Sequence, residues 1–326
     1  MIEFKNVTKV YEDGTEAIKG IDLTIPEGKL VALIGPSGCG KTTTMKMINK
    51  LITPSSGSIF INGKDISNQD EVELRRNIGY VIQRIGLLPH MTIEDNISLI
   101  PKLKGWKKDQ YENRVDELLN LVGLEPHIFR KRYPLELSGG QQQRVGVIRA
   151  LAAEPPIILM DEPFSALDPI SREQLQDELK GIQNTIHKTI IFVTHDIDEA
   201  LKIADEIAVM KDGKIEQIAT PNELLSAPAN DFVRSFIGEE RLKGQKSRIC
   251  VSDIMENNTN YILYNETEYE IIPYDASISD AAHLLVTSDK PYLLVIRNEK
   301  SIGSVTRTGV LRAVASEGRK EAQSTS

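Results

Sequence analysis

Three short apolar runs stand out along the chain, one leading into a glycine-rich loop and two ending on polar residues. Leu30–Ile34 (LVALI) leads into Gly35; Ile157–Met160 leads into Asp161 and Glu162; Thr189–Val193 leads into Thr194, His195 and Asp196. LVALI is an unbroken aliphatic run, and all three short runs read as buried strands. Lys41–Leu51 reads as a helix following the first of them. Two earlier strands, Ile2–Phe4 and Ile18–Ile25, are bounded by the turn signals EDGTE and PEGK. Buried strands that alternate with helices predict an α/β fold with a mostly parallel core sheet, preceded by an antiparallel β part. In such a sheet the ligand crevice lies at the carboxyl ends of the strands.

From about residue 85 to 155 the pattern turns helical. Val115, Leu118, Leu119 and Val122 fall at helical spacing and Gly123 stops the run, so this region reads as a helical insertion within a first domain spanning 1–238. The charged stretch EERLKGQKSR, 239–248, reads as a linker. A smaller α+β domain is expected over 249–316: a capped helix in DASISDAAHLLVTSDK, a hairpin in YLLVIRNEKSIGSVT and another helix in RTGVLRAVA. The tail, 317–326, has no apolar side to pack and is expected to be disordered.

The length of 326 residues suits two domains, and 40% hydrophobic with 26% charged residues describes an ordinary soluble chain. No apolar run approaches the ~18 residues of a membrane span, and the first residues lack the layout of a secretory signal. A net charge of -8 argues against a nucleic-acid partner. Two cysteines, Cys39 and Cys250, are too few for a disulfide framework, so a cytoplasmic setting is expected.

GPSGCGKTT, comprising Gly35, Pro36, Ser37, Gly38, Cys39, Gly40, Lys41, Thr42 and Thr43, fits G-x-x-x-x-G-K-[ST] between a strand and a helix. Its glycines let backbone N–H groups face phosphates, and the helix adds the positive end of its dipole. Lys41 is suited to the β- and γ-phosphates of ATP and Thr42 to Mg²⁺. Asp161, at a strand end, suits the same Mg²⁺ through water, and Glu162 beside it suits the polarisation of an attacking water. His195 ends a third strand in the same crevice and is expected to contact the γ-phosphate or orient that water. A second segment, LSGGQQQR at Leu137–Arg144, opens a helix: Ser138 is a cap, and Gly139 and Gly140 leave the first N–H groups open to an anion.

These segments, together with Gln83 in YVIQR, SALD at Ser165–Asp168 and His195 in TH, occur in the order found in the ATP-binding subunits of ABC transporters, which the chain resembles over at least Met1–Gly238. The resemblance implies an ATPase that pairs with a second copy head to tail, so that Ser138, Gly139, Gly140 and Gln141 of one copy close over ATP on the cradle of the other. By the same resemblance Tyr11 stacks on adenine, Glu162 is the catalytic base, Gln83 senses Mg²⁺ near a membrane permease, and Asp168 links the two sites. A peripheral position on the cytoplasmic face of the membrane is implied too.

RIGLLPHMTIEDNI and the SGGQQQR spelling resemble importers, most of all those for glycine betaine, carnitine, choline and related osmoprotectants, which also work with a substrate-binding protein. Val251–Val314 resembles a CBS domain. It offers one such unit where relatives have a pair, and Gly309 stands where a ribose-binding Asp is expected, so a nucleotide-sensing role and a structural or dimerising role both stay open. Transport of another solute, export, or a soluble non-transport ATPase are the alternatives. The last is disfavoured by the single cassette.

Overall fold

The computed structural model describes residues 1–82, 86–165, 167–246, 251–256, 269–274, 276–288, 290–297 and 300–314. Gln83, residues 247–248 of the expected linker, and the tail 317–326 lie outside the described residues. The chain divides into two compact units, Met1–Ile237 and Gly238–Ser326.

In the first unit the strands are β1 (Ile2–Val10), β2 (Glu16–Ile25), β3 (Leu30–Ile34), β4 (Ser56–Ile61), β5 (Lys64–Asp65), β6 (Ile78–Val81), β7 (Ile157–Asp161), β8 (Thr189–Val193), β9 (Glu206–Lys211) and β10 (Lys214–Ala219). They form two sheets. An antiparallel sheet has the order β2-β1-β4-β5, and the core sheet has the order β10-β9-β3-β8-β7-β6. Within the core sheet every pairing from β9 to β6 is parallel; only β10 runs against its neighbour.

Every residue of β3, β7 and β8 is buried, as both-face coverage requires. Each fully buried aliphatic side chain contributes roughly 1.5–3 kcal/mol. The register Leu33↔Val193 and Asp161↔Val193 brings the carboxyl ends of β3, β8 and β7 side by side. The N-terminal strands are longer than the apolar pattern suggested, because exposed polar residues alternate with the core-facing Phe4, Val7, Ile18, Ile21 and Leu23.

The helical region holds helices at Ile93–Leu103, Lys108–Leu121 and Gly139–Leu151. Val115, Leu118, Leu119 and Val122 are all at most 1% exposed, and Gly123 follows at positive φ. In the second unit a three-stranded sheet, β11 (Tyr269–Pro273), β12 (Tyr292–Arg297) and β13 (Lys300–Thr306), packs on helices at Ile278–Thr287 and 307–314 around Ile272, Leu285, Leu293, Val295 and Val310. β12 and β13 are the expected hairpin. The stretch read as a linker begins with a helix, Glu239–Lys246. Gly309 sits in the first turn of the last helix, its N–H donating to Thr306 Oγ1 (3.2 Å).

Candidate nucleotide site

The loop between β3 and the Lys41–Ile48 helix is shaped by its glycines. Gly35 has φ +149°, and a Cβ there would lie 2.1 Å from the Met210 carbonyl oxygen. Gly40 has φ +106°, and a Cβ would meet Ile18 and the Ala17 carbonyl. Neither position tolerates a side chain, because left-handed backbone and tight packing coincide. Gly40 also caps the helix without a side-chain acceptor. The first N–H groups of the helix therefore keep their outward donors, and the helix dipole adds positive potential there.

This loop opens on a cleft of about 570 Å³ lined by Tyr11, Thr15, Glu16, Ala17, Ser37, Gly38, Gly40, Lys41, Thr42, Thr43, Glu162 and His195. Lys41 is buried, and its ammonium donates to the carbonyl oxygens of Gly35 (2.7 Å) and Pro36 (2.9 Å). The Thr42 hydroxyl donates to Asp161 Oδ1 at 3.0 Å. Burial pushes the Asp161 carboxyl above its ordinary range, against the pull of the Thr42 bond and of Lys46. On β6, Tyr80 is pushed up to about 12, first by burial and then by the charge of Asp161.

A hydroxyl and a carboxylate side by side are the hard oxygen donors that suit Mg²⁺, which takes few protein ligands and completes its shell with phosphate and water. Among the described residues no cluster of three or more His, Cys, Asp or Glu is placed to hold a metal alone. The donor set therefore fits a magnesium ion that arrives with a phosphorylated ligand.

Glu162 leaves β7 in the left-handed region (φ 46°), uncommon for a side-chain-bearing residue. Its N–H donates to the Val193 carbonyl (3.0 Å), and its carbonyl accepts from the Ser165 hydroxyl (3.0 Å). Phe164, fully buried, meets Phe192 of β8 edge to face at 6.2 Å and fixes the turn from below. The Glu162 carboxylate thereby points into the cleft, with Oε1 3.5 Å from His195 Nδ1. Tyr11 flanks the mouth, its hydroxyl 3.2 Å from Thr43 Oγ1. Cys39 is buried; burial pushes its thiol up despite Lys41 nearby.

The other candidates stand elsewhere. Ser138 caps the Gly139–Leu151 helix in a reciprocal box: its hydroxyl accepts from Gln141 N–H (3.3 Å), and the Gln141 side chain accepts from Ser138 N–H (3.0 Å). Asp168 caps the Pro169–Ile186 helix by accepting from Ser171 N–H (3.1 Å). Neither Ser138, Gly139, Gly140, Gln141 nor Asp168 lines the cleft of its own chain. Thr15, Glu16 and Ala17, which do, were not marked by the sequence pattern; they enter because β2 passes beside Gly40.

A phosphate-cradling loop after a core strand, with a Thr–Asp pair and a Glu–His pair at neighbouring strand ends, defines a nucleotide-hydrolysing P-loop domain. Residues 18–165 match the family model for the ABC transporter. The chain is 54% identical over 296 residues to the glycine betaine/carnitine/choline transport ATP-binding protein OpuCA of Bacillus subtilis, covering 91% of this chain and 75% of the relative. It is 47% identical over 312 residues to the osmoprotectant import ATP-binding protein OsmV of Salmonella typhimurium, covering 94% of this chain and 79% of the relative. Among solved structures, the dimeric ABC transporter cassette MJ0796 is 38% identical with a TM-score of 0.62, covering 68% of this chain and 99% of that one. A post-hydrolysis dimer of the same cassette, bound to ADP and Pi, gives 37% and 0.61, with coverages of 68% and 99%. The chain belongs to the ATP-binding subunits of ABC transporters. It binds ATP and hydrolyses it to energise transport.

Proposed function

We propose that the cleft takes ATP with Mg²⁺, and that each bound nucleotide is enclosed by Ser138, Gly139, Gly140 and Gln141 of a second copy of the chain. Lys41 holds the β- and γ-phosphates, Thr42 and Asp161 hold the metal, and Tyr11 offers its ring to the adenine. The metal supplies charge neutralisation on the phosphates. Glu162 orients and polarises the attacking water, and His195 holds the γ-phosphate side of the cleft. Phosphoryl transfer is chiefly a matter of position and charge, so the fixed Glu162 turn matters more than any covalent chemistry.

The observation that carries this reading is that one cleft gathers Lys41, Thr42, Glu162 and His195 while Ser138 and Asp168, each capping a helix, lie outside it. Two copies arranged head to tail reconcile the two groups. The resemblance assigns Gln83 to the metal and the permease contact, and Asp168 to communication across the dimer. The names of the relatives support a membrane importer of quaternary-ammonium osmoprotectants such as glycine betaine, carnitine or choline, with the chain on the cytoplasmic face and a binding protein delivering solute. The unit from Gly238 onward then serves as a CBS-like regulatory or dimerising appendage.

Complementation tests the shared site. Ser138→Arg subunits mixed with Lys41→Ala subunits form heterodimers with one intact composite site, and ATPase activity returns on mixing. Two preparations that stay inactive together, though each folds, refute the shared site. Betaine-stimulated ATPase in liposomes with the partner permease tests the solute.

A further inference from the structure

Behind the nucleotide cleft lies a charged cluster that the reading above leaves unused. Thr194 immediately precedes His195. Its hydroxyl donates to the carboxylate of Glu199 and accepts from Asp196 N–H (3.0 Å). Its own N–H donates to the Leu33 carbonyl (3.2 Å), so the side chain and backbone of one residue anchor the whole turn. Glu199 is 5% exposed on the Ile197–Ile203 helix. Burial pushes its carboxyl up, Asp196 adds to that, and Thr194, Arg172 and His195 oppose it.

Arg172 reaches this turn from the other side. It stands on the Pro169–Ile186 helix, one turn after the capping Asp168. One guanidinium nitrogen donates to the Leu167 carbonyl (3.2 Å). Its Nη1 lies 3.8 Å from Asp196, and its buried Nε lies 3.8 Å from Glu199 with no hydrogen-bond partner among the described residues. A single guanidinium thus spans the turn that ends in Asp168 and the turn that carries His195. A buried carboxylate is costly to keep, and an apolar residue of similar volume is often as stable. A buried carboxylate that grips the residue before His195 therefore suits positioning better than stability.

We propose that Arg172 and Glu199 are a positioning pair that ties the Leu167–Asp168 turn to the His195 turn, setting His195 against Glu162 for turnover while leaving nucleotide affinity to the cradle. The same tie also steadies Glu162, whose N–H is held by Val193, the residue before Thr194. The inference rests on the proposed roles of Glu162 and His195. If Asp168 faces a second copy, it also gives that contact a direct route to the hydrolytic side chains.

The test uses the full chain. Arg172→Met and Glu199→Gln are each expected to lower kcat about ten-fold, since small displacements of reacting groups are expensive in rate. ATP affinity, read by a fluorescent nucleotide, stays within about two-fold, because the cradle donors are untouched. The double variant is no slower than the slower single one, as expected for a pair acting as a unit. Arg172→Lys recovers part of the rate. Glu199→Gln keeps an acceptor for Thr194 and guards against loss of folding. The chain has five histidines, so the His195 ring signal is assignable by substitution, and it is expected to shift in both single variants. A parental kcat in either single variant, multiplicative losses in the double, an unmoved His195 signal, or parallel loss of affinity and Tm overturns the pair. His195→Ala is the control: if it turns over at the parental rate, the site reading itself falls. If it is slow while Arg172→Met is not, only the pair falls.

Discussion

Gly79 offers a clean steric probe of how the helix that begins at Ser138 is held. It lies in β6 without a positive φ, so an alanine there meets no backbone strain. A Cβ at that position would stand 2.4 Å from the Ala150 carbonyl oxygen and 3.2 Å from Pro155 Cγ. Ordinary contact begins near 3.4 Å, so the last turn of the Gly139–Leu151 helix has to retreat by about 1 Å (3.4 − 2.4). The obstacle is backbone rather than a flexible side-chain tip, so it does not yield by a rotamer change. Overpacking of this kind costs about 1–3 kcal/mol. For a unit the size of Met1–Ile237 each kcal/mol lowers Tm by roughly 2–4 °C. Gly79→Ala is therefore expected to lower the urea midpoint of the first unit. It should leave ATP affinity near parental, because β3 and its loop are separated from β6 by β8 and β7. In the Glu162→Gln background, ATP-dependent dimerisation should weaken, because the displaced helix presents Ser138. A variant with parental stability and dimerisation refutes the backbone-contact account. One that loses ATP affinity equally refutes its locality.

Glu162→Gln itself should retain ATP binding while lowering turnover about 10²–10⁴-fold, the usual worth of a positioned acid or base; a parental rate by phosphate release contradicts the assignment. Asp161→Asn should abolish turnover yet raise the urea midpoint at neutral pH. Burial holds the folded carboxyl above the ordinary carboxylate range, so the folded state keeps protons that the unfolded chain has lost, and stability falls as pH rises through that window. A neutral amide removes that penalty and still accepts from Thr42; an unchanged or lower midpoint refutes the burial argument. In the helical region, burial alone would raise the Glu94 carboxyl, but Arg130 and Lys131 hold it below its usual range. Its stabilisation is therefore present above pH 4.5 and is lost as pH falls through the lower folded value. Arg130→Met should remove most of that acid-side loss from a urea titration across pH, and an unaltered profile argues against the pair.

Much of the site was legible because it lies at strand ends. The runs before Gly35, Asp161 and Thr194 are wholly buried and apolar but for Thr189, as a sheet covered on both faces demands. β6 was harder to see. It has four residues, one of them Gly79, and its glycine answers to a carbonyl more than seventy residues on. The antiparallel strands were cut short for a related reason: their outward positions are polar and exposed, and their extent is set by pairing with each other and, for β1, with β4, rather than by their own composition. The left-handed turn at Glu162 had no clear local signal, since the glutamate is held there by the Val193 carbonyl and by Phe164 packing on Phe192, and both Val193 and Phe192 lie on a strand about thirty residues away. The Arg172–Glu199 pair was invisible for the same reason: each is an ordinary charged residue on a helix until the two helices are seen to meet at Thr194.

The Ser138 cap has one more outcome. Its oxygen takes the Gln141 amide proton, which engages the hydroxyl only as an acceptor. The hydroxyl hydrogen still has its own direction, and the cap holds the oxygen steady while that hydrogen turns. In the proposed pairing, a phosphate on the second copy thus meets a hydroxyl whose oxygen is already held, and the helix start need not unravel to greet it. Alanine at 138 would remove anchor and greeting together, whereas threonine would keep both.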